Sequence, residues 1–386
     1  MTKLAIITTH PIQYYAPIFK LLHKRNVINL KVFYTWGQTA TNSYDPGFNR
    51  KITWDTPLLG GYPYEWVNNT SVNPGSHHFK GIINPGLIAQ VNNWQPDAVL
   101  IIGWAYHSHL RALHYFKNKI PVYFRGDSTL LNKTSKIRDI IKSIFLRWVY
   151  NHIDHAFYVG SNNKDYYRKY GLKDKQLSFA PHAVDNDRFK MERSAEAAQL
   201  RASLKINEED ILILFAGKFE PVKNIKLLLT AFIKLNTPNV HLLLTGNGID
   251  EPLLKEQVAE SNKTDKIHFL DFKNQNYMPV LYQASDLFCL PSKSESWGLS
   301  VNEAMACKKA ILVSDKCGCA IDLVREEENG AIFKSGSLDD LMSCLTKLTK
   351  SKNLLTDYGN ASGSIIKPWN FLNIAKAIEN KLADAR

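Results

Sequence analysis

The sequence predicts an α/β protein built of two Rossmann-like domains in series. Three observations predict it. Short apolar strands alternate with amphipathic helical stretches, the pattern of parallel sheets covered by helices. The pattern is interrupted by the polar stretch Lys190–Asp210 and restarts at Ile211. The length, 386 residues, suits two domains at about 100–200 residues each.

Taken in order, Leu4–Thr9 reads as a buried first strand and Pro11–Leu22 as the helix after it. The opening apolar run is too short for a secretion signal core and lacks a small-residue cleavage site. Strands follow at Leu30–Tyr34, Ala98–Ile102, Val122–Phe124, Ala156–Val159 and Leu177–Ala180, with a helix over His107–Phe116. Asn42–Pro85 is a long insertion rich in Gly, Pro and aromatics, too long for a simple linker. In the polar stretch, Glu192–Leu200 reads as a short surface helix. The second half gives strands at Ile211–Ala216, His241–Leu244, Ile267–Leu270, Leu287–Leu290 and Ala310–Val313. Ile225, Leu228, Leu229, Phe232 and Leu235 recur at spacings of three and four, one face of a helix. Phe371–Leu382 is a last helix. In open α/β sheets, ligands bind beyond the carboxyl ends of the strands.

Composition narrows the function classes. Hydrophobic residues make 45% and charged residues 22%, which excludes a disordered chain, a collagen-like repeat and a coiled coil. Forty-eight Lys and Arg against 36 Asp and Glu leave a net charge of +12, which favours nucleotides, nucleic acid, phosphorylated lipids or an anionic membrane surface. The 5 cysteines are not a disulfide framework in so long a chain, and Cys317-Gly318-Cys319 has no matching half for a metal site. No apolar run is long enough to span a bilayer. A reduced, cytoplasmic protein is expected.

Three segments of the second half carry chemistry. Gly217-Lys218-Phe219-Glu220-Pro221-Val222-Lys223-Asn224 joins its first strand and helix, and its two lysines are point charges suited to a diphosphate. Two solvated loop lysines are the bland alternative. Gly246-Asn247-Gly248 permits a tight turn after the next strand, but no dinucleotide fingerprint is present here or at Thr9–Tyr14. Pro291–Ala306 runs from a strand through a loop into a helix starting near Gly298 or Leu299, whose free N–H groups suit a phosphate. Glu295 in that loop and Glu303 in the helix can meet different parts of one ligand.

These residues resemble the retaining glycosyltransferases of the GT4 family, which have the GT-B fold. Glu295 and Glu303 match its pair of acids eight apart. Gly217-Lys218 with Lys223-Asn224, Gly246-Asn247-Gly248, Phe269–Phe272 and Ser314–Gly330 match further motifs, although Asp271 and Asp322 stand where Gly and Glu are commoner. His10-Pro11-Ile12-Gln13-Tyr14-Tyr15 and Trp54–Tyr62 resemble a subgroup found in bacterial surface-polysaccharide clusters. The resemblance implies two Rossmann-like domains facing across a deep cleft. Residues 1–188 would bind the acceptor, 189–210 would be linker and surface helix, and 211–365 would bind the nucleotide sugar. Residues 366–386 would pack back on the N-terminal domain.

Roles carried over from the resemblance are as follows. Glu303 binds the ribose and Glu295 the donor sugar. The backbone of Trp297, Gly298 and Leu299 holds the diphosphate. Gly217, Gly246, Gly248 and Phe272 complete the nucleotide site. Lys218 and Lys223 offset the charge developing on the leaving diphosphate. No divalent metal or other cofactor is required. His109, preferred slightly over His107, contacts the donor sugar, with a structural histidine as the alternative. His10, Gln13 and Arg125 line the acceptor side, where Arg125 could instead pair with Asp127 or with phosphate. The implied reaction moves a sugar from a UDP- or GDP-linked donor to a hydroxyl of a glycan or lipid-linked glycan, by a front-face mechanism or by double displacement.

Lys133–Tyr150 carries five basic residues and one acid, with Ile137, Ile140, Ile141, Ile144, Phe145 and Trp148 in one stripe. That stripe either packs on the first sheet or lies in a membrane interface. Peripheral attachment to the inner face of the cell membrane would follow from the second reading. An epimerase or phosphorylase of the same fold, and a basic nucleic-acid-binding protein, are the competing functions. Neither explains the lysine and glutamate set, and no nucleic-acid module is legible.

Overall fold

The computed structural model describes residues 1–37, 44–45, 50–51, 55–132 and 135–384, so Trp54, Lys133 and much of the first part of the Asn42–Pro85 insertion lie outside the described residues. Contacts divide the chain into two compact units. The first comprises Met1–Ser43, Thr56–His182 and Phe371–Arg386, and the second Tyr44–Asp55 and Ala183–Asn370.

The strands of the chain are β1 Lys3–Thr8, β2 Asn29–Tyr34, β3 Tyr44–Asp45, β4 Arg50–Lys51, β5 Tyr64–Trp66, β6 Ala98–Ile102, β7 Val122–Arg125, β8 His155–Tyr158 and β9 Leu177–Phe179. The second half adds β10 Ile211–Ala216, β11 Val240–Thr245, β12 Ile267–Leu270, β13 Leu287–Leu290, β14 Ala310–Ser314 and β15 Gly330–Phe333. The first unit holds a seven-stranded sheet in the order β5-β2-β1-β6-β7-β8-β9, and the second a six-stranded sheet in the order β12-β11-β10-β13-β14-β15. Every pairing in both sheets is parallel. All residues of β6 and β10 are buried, as parallel strands covered on both faces require. The predicted α/β class with two Rossmann-like sheets is what the chain forms.

Strand order locates where ligands belong. In the first sheet the chain moves outward from β1 through β2 to β5, then returns to place β6 on the other side of β1. In the second it moves from β10 through β11 to β12, then returns with β13 beside β10. At each return the connecting loops diverge and open a crevice past the strand ends. For the first sheet those loops follow Thr8 and Ile102. For the second they follow Ala216 and Leu290.

The first helix differs from expectation and the last agrees with it. The first covers Ala16–Arg25 rather than Pro11–Leu22. Ile12 turns the chain beforehand, its carbonyl accepting the N–H groups of Tyr15 and Ala16 at 2.9 Å, and Pro17 sits in the first helical turn, where its missing N–H is harmless. The last helix, Phe371–Ala383, packs on Ala16–Arg25 within the first unit, where Arg25 grips Glu379 through two bonds of 2.8 Å.

The basic segment forms the helix Lys136–Tyr150, and its stripe does not pack on the sheet. Leu146, Val149 and Tyr150 enter the core instead. Ile137, Ile140, Ile141 and Ile144 are 62–74% exposed, with Phe145 and Trp148 about half as buried as they could be, at 41% and 46% exposed. Among the described residues no helix is long and apolar enough to cross a membrane.

Candidate functional site

The second sheet's crevice is built from charged and glycine-bearing loops. After β10 the chain passes Gly217 and half-buried Lys218, then makes a short 3-10 turn over Pro221–Lys223. Asn224 adopts a left-handed conformation (φ 56°), which Asn tolerates better than most residues, and the helix Ile225–Lys234 begins there. This turn delivers Lys223 to the loop after β13. Its ammonium forms an ion pair with Glu295, and the two side chains are 22% and 19% exposed. Ser292 adds a hydroxyl donor to Glu295 at 3.3 Å, and the Lys293 N–H reaches the Val222 carbonyl at 2.8 Å. Two residues of each loop, Val222 and Lys223 on one side and Lys293 and Glu295 on the other, therefore lock the loops together.

The loop after β13 is braced from behind. Glu295 N–H donates to Lys316, Gly318 N–H to Glu295 and Cys319 N–H to Trp297, each at 3.0 Å. A Cβ on Gly318 would stand 1.9 Å from the Ser296 carbonyl oxygen, so only glycine fits. The buried Trp297 ring donates to Asn302 at 2.8 Å and lies 5.2 Å from Trp369. Gly298 (φ +100°) then starts the helix Leu299–Ala306 in a conformation that favours glycine. Its first N–H groups open beside Glu295, whose Cγ lies 3.4 Å from where a Gly298 Cβ would be. One turn in, Glu303 is buried and accepts the Tyr282 hydroxyl at 2.8 Å.

Gly246 and Gly248 are needed for a reason the sequence did not disclose. A Cβ on Gly246 would meet the Gly217 carbonyl oxygen at 1.9 Å, and one on Gly248 the Phe219 carbonyl oxygen at 2.3 Å. Their lack of side chains lets the loop after β11 lie on the loop after β10, joined by Phe219 N–H to Asn247 at 2.8 Å. Asn247 also accepts the N–H of half-buried Phe272 at 2.9 Å, tying in the end of β12. The sequence-predicted residues thus gather at the carboxyl ends of β10, β11, β12 and β13.

Cys317 and Cys319 are buried thiols, and burial pushes Cys317 up to about 12. Cys317 points at the Leu290 carbonyl, 3.5 Å away. Among the described residues no group of three or more His, Cys, Asp or Glu is arranged to hold a metal.

The first sheet's crevice is mainly aromatic, with one carboxylate, Asp127, in its wall. His10 is bonded to Thr9 at 2.9 Å, meets Trp36 edge-on at 5.0 Å, and is pushed down to about 4 by burial. Gln13 lies half-buried in the turn before the first helix. His109 is fully buried. Its Nδ1 lies 2.7 Å from the Gly103 carbonyl, which can only accept, so Nδ1 carries the proton. Nε2 then accepts the Thr35 hydroxyl at 2.9 Å. Burial lowers this histidine to about 4, so it stays neutral, with both nitrogens used. This is the structural alternative weighed above. His107, at the start of the same helix, is half-buried and its Nδ1 has no hydrogen-bond partner among the described residues.

Arg125 is buried at the end of β7, and its guanidinium donates to the carbonyls of Ala180 at 2.7 Å and Pro181 at 3.0 Å. It therefore fixes the chain leaving β9. Asp127 instead meets His182 at 3.8 Å. A pocket of about 200 Å³ opens between the strand ends, walled by Trp104, Tyr106, Gly126, Asp127 and Ser128. Tyr282 and Gly318 entered the sequence reasoning only as members of motifs that resemble the family, and Thr35 and Asn302 were given no role. Thr35 and Tyr282 have partners distant in the chain, whereas Asn302 bonds to Trp297 five residues before it.

Residues 196–364, within the second unit, match the family model described as glycosyl transferases group 1. The chain is similar to an uncharacterized glycosyltransferase of Methanocaldococcus jannaschii, 26% identical over 193 residues that cover 48% of each protein. It is similar also to a D-inositol 3-phosphate glycosyltransferase of Rhodococcus erythropolis, 27% identical over 197 residues, 49% of this chain and 44% of that protein. The match thus spans about half the length of these curated relatives. A solved Anabaena protein in complex with UDP and glucose shares the fold over the full length of both chains, with a TM-score of 0.73 and 17% identity.

Proposed function

We propose that this chain is a retaining, metal-independent glycosyltransferase of GT-B fold. It would move a sugar from a UDP- or GDP-linked donor to a hydroxyl of a glycan or lipid-linked glycan, in surface polysaccharide synthesis. The observation that carries the reading is the Lys223–Glu295 pair beside the Gly298 helix start, at the return point of the second sheet and inside the family-matched region. A lysine, free N–H groups and a carboxylate side by side suit the diphosphate and sugar of one nucleotide sugar.

In this reading the second unit binds the donor. Glu303, positioned by Tyr282, takes the ribose, and the N–H groups from Trp297 to Leu299 take the diphosphate. Lys218 and Lys223 stabilise the charge that grows as the glycosidic bond breaks, an interaction stronger in the transition state than in the bound donor. Glu295 orients the sugar hydroxyls and is not assigned as nucleophile. The leaving phosphate oxygen takes the acceptor proton on the same face.

The first unit receives the acceptor in the pocket walled by Trp104, Tyr106 and Asp127, with His10 and Gln13 nearby in the chain order of the loops. Of the two histidines we assign substrate contact to His107, since both nitrogens of His109 are occupied. Arg125 shapes this side through the loop after β9. The exposed stripe of Lys136–Tyr150, flanked by Arg138, Lys142 and Arg147, suits the surface of an anionic membrane, from which a lipid-linked acceptor would be drawn.

A panel of UDP- and GDP-sugars, incubated with extracted lipid-linked glycans, tests the proposal. Free nucleoside diphosphate should appear only when acceptor is present. UDP-sugars come first, given the UDP bound to the Anabaena protein. An altered nucleotide sugar formed without acceptor would favour an epimerase, and no turnover of any donor would end the proposal.

A further inference from the structure

We infer that the first unit carries a site for the phosphate headgroup of an anionic phospholipid, in a pocket at the C-terminal end of the helix Lys136–Tyr150. The inference rests on the membrane reading of that helix. The pocket measures about 510 Å³ and is lined by Lys117, Arg147 and Lys173 with Trp148, Tyr170 and Leu172. Asn151, just past the helix, and Gln176, just before β9, place it at the amino end of that strand, away from the loops that follow β1 and β6.

The three cations are not equivalent. Lys117 is held by Asp154 at 2.7 Å, and Asp154 is itself fixed by the Val122 N–H at 2.9 Å. The side chains of Arg147 and Lys173 form no ion pair among the described residues. A pocket with one cation held by a carboxylate and two without a counter-ion has an excess of positive charge and room for an anion. A guanidinium matches two phosphate oxygens at once, and an ammonium adds a third contact.

The pocket's position identifies which phosphate. Trp148 is at once a wall of the pocket and the last member of the exposed stripe, stacked on Phe145 at 5.8 Å. Phe145 meets Trp104 edge-on at 5.6 Å. A free anion would gain nothing from the row of exposed isoleucines. A phospholipid would place its acyl chains along that row and its headgroup in the basic pocket at the end of it. Trp148 is the amphipathic side chain suited to the boundary between them.

Vesicle flotation at about 0.15 M salt tests this, because screening over about 8 Å then weakens exposed charges more than a seated headgroup. The vesicles are phosphatidylcholine with or without phosphatidylglycerol. Arg147→Gln with Lys173→Gln should lower binding to the anionic vesicles at least about tenfold more than Arg138→Gln with Lys142→Gln, the same charge change on the stripe's flank, where loss of each surface charge costs about fivefold at most. Glycerol phosphate in solution should not displace the wild-type protein at concentrations where vesicles bind. Equal losses in the two double variants would reduce the effect to surface attraction and overturn the site. Loss of binding in Ile141→Asp with Ile144→Asp, but not in the pocket variant, would leave the membrane reading standing without the site. A wild-type chain that ignores vesicles and forms a dimer split by that aspartate pair would assign the stripe to a second copy and sink both.

Discussion

The return points of the two sheets arise from the same strand logic and carry opposite chemistry. Past β10 and β13, Lys223 meets Glu295, Lys218 stands half-buried, and glycines let the loop after β11 lie on the loop after β10 and the loop after β14 on the loop after β13. Past β1 and β6, His10 and His109 are both pushed down to about 4 by burial, Trp36 meets His10 edge-on, and Trp104 and Tyr106 wall the pocket together with Asp127. A charged crevice fits a diphosphate that gains charge as it leaves. A mainly aromatic one with a single carboxylate, Asp127, fits a sugar hydroxyl. Fold alone does not make this division, since both sheets would accept either set of loops.

The largest expected break in this comparison is catalytic. Lys223→Ala should lower turnover by about 10²–10³, the scale for losing one electrostatic donor in another kind of enzyme, while nucleotide affinity falls less. Lys234→Ala, on the helix that follows, is the control. Steady-state transfer assays on both variants decide it. Near-normal turnover in folded Lys223→Ala and in folded Lys218→Ala would remove the diphosphate role from both loop lysines.

How far the sequence discloses this arrangement differs between the units. Strands such as Ile211–Ala216 are legible because a strand buried on both faces must be apolar throughout. The charged motif of the second unit is legible because its members fall in two short loops. The helix Lys136–Tyr150 misleads because it has two apolar faces, and the one richer in isoleucine is outside while Leu146, Val149 and Tyr150 are inside. Pair contacts are hidden where the partners are distant: Thr35 and His109 lie 74 positions apart, and Tyr282 and Glu303 lie 21 apart. The glycines at 246 and 248 suit a tight turn, but the sequence does not show what lies against them. What approaches them is the backbone of a neighbouring loop.

Acidification should sharpen the contrast. A histidine whose folded value is near 4 and whose unfolded value is 6.5 binds its proton first in the unfolded chain. Its contribution is complete above pH 6.5 and is lost as pH falls toward 4, by about 3 kcal/mol for a fully buried ring such as His109. Among the described residues His10, His109 and His155 of the first unit are all pushed down to about 4, against His241 in the second. Amide exchange at pH 5 should therefore accelerate in the first unit before the second. His109→Gln should flatten the slope of stability against pH over that window. An unchanged slope would mean that the ring is already protonated when folded.

Nucleotide binding should fall next. A charged acceptor bond is worth about 1.5–3 kcal/mol, so Glu303→Ala should weaken UDP or GDP roughly 10–150-fold. The buried Tyr282 hydroxyl would lose its 2.8 Å acceptor, and the fold should lose about 1–3 kcal/mol as well. Tyr282→Phe separates the two effects, because it keeps the carboxylate for the ribose. Calorimetric titration should show a much smaller loss in Tyr282→Phe than in Glu303→Ala. Equal losses would place Glu303 in the role of a structural acid.

The smallest effect tests the charge balance inside the second crevice and runs in the opposite direction. Glu295 neutralises Lys223 in this structure, and both side chains keep about a fifth of their surface in water. Glu295→Gln removes that negative charge while keeping shape and hydrogen-bonding capacity for Ser292. Lys223 then has no opposing carboxylate, and a diphosphate arriving at Gly298 competes with nothing for it. A partly exposed pair of this kind is worth roughly 1 kcal/mol, so UDP should bind about fivefold tighter to the variant at low salt. The gain should shrink toward 1 M salt, where screening acts over about 3 Å. Turnover should fall in the same variant, because Glu295 is also the group assigned to the donor sugar. The two signs together are the test. Weaker UDP binding would show that Glu295 supports the phosphate loop more than it occupies Lys223, and unchanged turnover would remove its contact with the sugar.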